Sequence, residues 1–288
     1  MGIAVLLAAT APGSAAWAAD APPPPQLECH DVLDVTNTCA ANGALGAPDQ
    51  GGVVTDPTYV PELPDAGSLA TKTSVEAATA PDSARLLQAG ALAAAPDPAD
   101  VVTYPRCADC SGSRDQPPAS AKIYTGSNKQ EQPTWCVPAT ASNALAAFGL
   151  NVNQSTLAAE MRTTNVAGGG TDPRRLVNAL NSRQHQFGYV YAVADSVGGA
   201  AGLFNKTVVD IYRYRAPEGL TVELRGVGYY HDSRIHGIHE MEVRGYSNAA
   251  GGTLIIFDPL ADQRSGEHNF AASDGFNAMQ MSGNGLVW

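Results

Sequence analysis

Cys136 follows the run Gln130-Glu131-Gln132-Pro133-Thr134-Trp135 and opens an apolar, alanine-rich stretch that reaches Phe148. A cysteine at a helix start faces backbone N–H groups that have no helical acceptor, and the positive end of the peptide dipoles there favours a thiolate. Gln130, six residues earlier, can fold back so that its side-chain amide stands beside the Cys136 N–H. Two such donors suit the oxyanion formed when a thiolate adds to a carbonyl. A nucleophile of this kind also needs a base and a group that orients the base. His239 and Asp258, both more than 100 residues further on, are the candidates.

The elements around them decide whether the three can meet. Pro138 is tolerated in a first helical turn, and Gly149 is placed to end the helix it begins, so a helix is expected over Pro138–Phe148. Shorter helices are expected over Thr156–Met161 and after the start signal Thr171-Asp172-Pro173, and another over Leu203–Tyr214. Tyr189–Val193 reads as extended. After Gly219 the apolar period changes from helical to alternating, with strands expected over Leu220–Val227, His239–Gly245 and Thr253–Asp258. Within these, His239 shares a face with Met241 and Val243, and Asp258 shares one with Leu254 and Ile256. Sequential strands are usually neighbours, so imidazole and carboxylate can meet. Helices first and an antiparallel sheet afterwards make an α+β domain over residues 121–288.

These residues resemble those of papain-like cysteine peptidases. The resemblance rests on Gln130 and Trp135 before Cys136, His239 at the head of a strand ending in Gly245-Tyr246, and Asp258-Pro259 closing the next. Gly169-Gly170-Thr171-Asp172-Pro173 and Leu180-Asn181 look like the secreted, stand-alone bacterial branch akin to the double-glycine (bacteriocin-processing) peptidases. The resemblance covers roughly residues 122–288. It implies a papain-like fold with Cys136 as nucleophile, His239 as general base, Asp258 as orienting acid and Gln130 as oxyanion donor; the substrate class is not inherited, and the expectation is a thiol hydrolase acting on a peptide or protein through a thioester on Cys136. Val137 stands where that family commonly has glycine, and Glu240 where an apolar residue is usual. An acyl or amide transferase using the same thiol, or a non-catalytic binding module on the same fold, therefore stays open.

Other constellations carry less. His236-x-x-His239 with His231 has a zinc-like spacing but no HExxH, and three or four convergent ligands are needed. His236 is the second candidate base and Asp262 the second acid. Neither cofactor nor metal is expected. The glycines at 168–170 precede no Gly-Lys-Ser/Thr and read as a turn.

Residues 20–120 differ in kind from the rest of the chain. They hold 14 of the 20 prolines, two aromatics (Tyr59 and Tyr104), and 14 acidic against 4 basic residues, most of the net charge of −11. Such a composition cannot bury enough apolar surface to offset chain entropy, so a largely disordered spacer or propeptide is expected, with one helix from Asp82 to about Ala95. The following domain is nearly neutral and offers no basic face for nucleic acid. Residues 1–19 read as a secretory leader, with an apolar run and Ala16-Trp17-Ala18 as a cleavage site but no basic n-region. No segment reads as a membrane span. The expectation is an exported, extracellular bacterial protein, in which Cys29, Cys39, Cys107 and Cys110 pair as disulfides and Cys136 is the odd thiol.

Overall fold

Strand β5 (Ile238–Ser247) organises the sheet, because it has partners along both edges. One edge takes β4 (Glu218–Glu223) opposite residues 238–243, then β2 (Ser120–Ile123) opposite 245–247. The other edge takes β6 (Thr253–Asp258), which pairs in turn with β7 (Gly266–Ala271). The register of β5 against β6 shifts between Val243 and Gly245, leaving Arg244 as a bulge. Gly245 lies so close to β2 that a Cβ there would stand 2.7 Å from the Ala121 carbonyl oxygen. The sheet continues from β4 through β8 (Gly285–Val287) to β3 (Tyr191–Val193), and β1 (Val102–Tyr104) joins β2 in parallel. Among the described residues it is a mixed sheet of eight strands rather than a purely antiparallel one.

The computed structural model describes residues 52–60, 66–90, 101–104, 116–230 and 236–288. The leader reading of 1–19, the four forward cysteines and His231 lie outside them. Among the described residues no helix is long and apolar enough to cross a membrane.

Helix α2 (Cys136–Ala147) packs on β5 and β4. Eleven of its twelve residues are buried, which its alanines allow because small side chains let the helix lie close to the strands. Gly149 follows with φ +76°, the left-handed value expected of a helix-ending glycine. Helices α3 (Gln154–Glu160) and α4 (Arg175–Asn181) pack against α2. Helix α5 (Gly199–Val208) runs on into a π-helical turn over Val209–Tyr214, and α6 (Ala272–Ser282) packs on β4 and α5. The α+β papain-like architecture expected from the sequence is the one observed. Thr253–Asp258 is a strand with the expected bounds, whereas β7, α6 and β8 were not expected.

The helix expected from Asp82 to about Ala95 has other bounds in the structure. Helix α1 spans Ala66–Gly90 instead of starting at Asp82, and Pro81 lies inside it. Its buried positions are Lys72, Thr79, Ser83, Leu86 and Gly90, a helical stripe with a single large apolar residue. That stripe lies on α5. Ser83 donates to Asn205 (2.8 Å), Lys206 pairs with Glu76 (2.6 Å), and Lys72 lies between the rings of Phe187 and Trp288. The segment has too little apolar surface for a core of its own, but it shares the core of the domain.

Candidate active site

The three expected groups converge. Cys136 is the first residue of α2, His239 the second of β5 and Asp258 the last of β6. Because β5 and β6 are antiparallel neighbours, His239 Nε2 meets Asp258 Oδ1 at 2.9 Å. All three residues are 0% exposed. The Cys136 sulfur lies near enough to the same ring to raise its basicity. His239 Nδ1, the nitrogen turned away from Asp258, has no hydrogen-bond partner among the described residues. Trp135 precedes the helix without a side-chain cap, and Cys136 stands at the positive end of the helix dipole.

Asp258 is held from several sides. The Leu260 N–H donates to Oδ1 (2.9 Å), and the hydroxyls of Tyr230 (2.6 Å) and Tyr229 (3.1 Å) donate to Oδ2. Burial alone would push this carboxyl up, but the His239 charge and these donors outweigh it, so its pKa falls below the usual value. Burial alone would likewise lower His239. The Asp258 carboxylate and then the Cys136 sulfur prevail, and the imidazole is pushed up to about 10. Burial and the adjacent Asp258 charge hold both tyrosine hydroxyls protonated, above their ordinary range. Tyr229 also stacks on His268 at 4.1 Å, which fixes its ring.

Gln130 occupies the expected loop but not the expected pose. Its Nε2 donates to the carbonyls of Gln132 (3.1 Å) and Pro133 (2.8 Å), so both amide N–H bonds are spent on the loop itself. Its backbone N–H donates to the Pro259 carbonyl (2.7 Å), tying the loop to the residue after Asp258. Two further side chains brace this loop. Asn143 bonds both backbone polar groups of Asn128 (2.9 and 3.0 Å), and Gln154 spans the Glu131 N–H (3.0 Å) and the Lys129 carbonyl (2.8 Å). Trp135 donates its indole N–H to Asn165.

The second candidates separate from the first. Asp262 is engaged with Arg264 at 2.7 Å, and His236 is half-buried just ahead of β5. Among the described residues no group of three or more His, Cys, Asp or Glu could hold a metal ion. Glu240, beside the base, is fully buried and accepts from Thr221; burial pushes its carboxyl up to about 8. The tyrosine pair, Asn143 and Gln154 were missed in the sequence. The adjacent Tyr229-Tyr230 before a histidine-bearing strand was the one available signal.

The sequence matches the Peptidase_C39 like family over residues 123–282. Among solved structures, a candidate C39-like peptidase from Bacillus anthracis is similar over 53% of this chain and 86% of its own, with 13% identity and a TM-score of 0.37. No curated protein matches the chain.

Proposed function

Because the chain belongs to the Peptidase_C39 like family, a membership that supports a cysteine-peptidase type of function, we propose that it hydrolyses peptide bonds through a thioester on Cys136. The observation that carries this is the 2.9 Å His239–Asp258 pair, with Cys136 at a helix start and close enough to raise the basicity of the same imidazole.

In the proposed reaction the resting imidazolium of His239 already holds on Nδ1 the proton given up by Cys136, while Nε2–H stays on Asp258. The sulfur adds to the substrate carbonyl, and the Cys136 N–H receives the oxyanion. Gln130 supplies the second donor by exchanging its longer bond, the one to the Gln132 carbonyl, for the oxyanion. An imidazolium stable to about pH 10 keeps its proton until the leaving amine collects it. The C–N bond then breaks, and a water activated by the same imidazole cleaves the thioester. Asp258 fixes the tautomer, and Tyr229 and Tyr230 fix Asp258. The leader-like residues 1–19 support placing this activity outside the cell.

Digestion of a peptide library by the chain and by its Cys136→Ala variant, read by mass spectrometry, tests the reading. Cleavage products that vanish in the variant are expected. Equal cleavage by both would refute it.

A further inference from the structure

The strap of residues 52–60 starts against the site at Gly52 and continues along Thr171–Arg175. Gly52, with φ +67°, lies against the backbone of Thr134, two residues before Cys136; a Cβ on it would stand 2.8 Å from the Thr134 carbonyl oxygen. The same glycine forms an antiparallel bridge with His239. Its carbonyl accepts from the Thr171 N–H (2.8 Å), and the Val54 N–H donates back to the Thr171 carbonyl (3.1 Å), a parallel pairing that leaves residues 52–54 extended before the turn at 56–59. Gly170 leaves room for it. A Cβ at Gly170 would stand 1.9 Å from the Gly52 carbonyl oxygen.

Further along, the strap is recognised by charge. The Asp56 N–H donates to Asp172 (2.8 Å), its carbonyl accepts from Arg174, and its carboxylate pairs with Arg175 (2.8 Å). Arg175 also lies over the Tyr59 ring at 4.1 Å. The Thr58 hydroxyl and N–H, then Arg175, hold the Asp56 carboxyl down at about 2, so it is charged whenever the strap is seated. Main-chain pairing at an extended edge with side chains in alternate pockets is how proteins hold peptides.

We propose, resting on the peptidase reading, that residues 52–60 fill the substrate groove as an intramolecular latch. By the same contacts the groove accepts an extended peptide with glycine against Thr134 and an acidic residue, four positions later, on Arg174 and Arg175. The latch accounts for a nucleophile and base that are both wholly buried in the full chain. Helix α1, docked on α5, keeps the strap close to its groove.

The test reads Cys136 alkylation by iodoacetamide in the full chain, alongside peptide hydrolysis. Asp56→Lys unseats the acidic anchor at a partly exposed position, and Gly52→Val removes the fit at Thr134. Alkylation is expected to rise by about tenfold or more in each, the order set by losing a charge-assisted hydrogen bond or a close backbone fit. Arg175→Glu combined with Asp56→Lys should return it toward the parent rate. A nonapeptide copying residues 52–60 should slow alkylation of the Asp56→Lys chain, and the same peptide with lysine for its aspartate should not. Unchanged alkylation in both variants, or a rise that the nonapeptide fails to reverse, would overturn the latch. If labelling follows the strap and no peptide is ever cleaved, the latch stands and the peptidase reading falls. If peptides are cleaved while labelling is indifferent to the strap, the peptidase reading stands and the latch falls.

Discussion

Two clusters of charge are buried in this molecule, and they are built in opposite ways. At the candidate active site His239 and Asp258 meet at 2.9 Å, and Asp258 accepts three more hydrogen bonds from Leu260, Tyr229 and Tyr230. Under helix α1, Lys72 approaches Asp210 only to 3.8 Å, too far for a hydrogen bond. Neither Asp210 oxygen has a hydrogen-bond partner among the described residues, and Glu218 nearby uses one oxygen on Thr207 (2.7 Å). The consequences differ in sign. The first pair favours its charges, with His239 pushed up and Asp258 down. In the second, burial disfavours them: Asp210 is pushed up to about 7 and Lys72 down to about 8. A buried charge is held where donors and acceptors complete it, and merely tolerated where they do not.

The largest expected effect lies in the complete cluster. Asp258→Asn should lower kcat for peptide cleavage by about a hundredfold to ten-thousandfold, since the imidazole loses its orienting acceptor. A loss under tenfold would mean that the pair is only structural. Next comes the incomplete cluster. Lys72→Met alone should destabilise the chain by about 3 kcal/mol, as removing one member of a buried pair does. Lys72→Met with Asp210→Asn should recover most of that in denaturant melts. If the double variant were the less stable of the two, the two clusters would not differ in kind.

A smaller effect depends on pH. The folded-state pKa of His239 is raised from 6.5 to about 10, so its contribution is complete below about pH 6.5 and is lost as pH rises through 10. The stability gap between the chain and His239→Gln should therefore close between pH 6.5 and 10. A gap that widened over this range would reverse the assigned sign. The smallest effect is Tyr229→Phe, about 1 kcal/mol for one hydrogen bond, with activity reduced less than by Asp258→Asn.

The complete cluster was legible in the sequence and the incomplete one was not, for physical reasons. His239 and Asp258 sit on strands whose alternation shows which way side chains point, and the strands are consecutive, so register brings them together. Cys136 was marked by the apolar helix it starts. Tyr229 and Tyr230 lie in short turns between β4 and β5, where no period predicts direction. Helix α1 buries Lys72, Thr79 and Ser83 rather than an apolar stripe, and its proline argues against a helix, so composition read it as a spacer. The strap has no local signature, because its partners Thr134, Thr171 and Arg175 are all remote in sequence. Gln130 was placed correctly along the chain. Its pose depends on loop carbonyls of Gln132 and Pro133, which need donors that spacing alone does not reveal.

The protonation of the imidazole that meets Asp258 can be observed directly. Nitrogen NMR of the His239 ring across pH 5 to 11 should show an imidazolium that persists to about pH 10 in the full chain. A ring that becomes neutral near 6.5, with the same titration in Asp258→Asn, would contradict it.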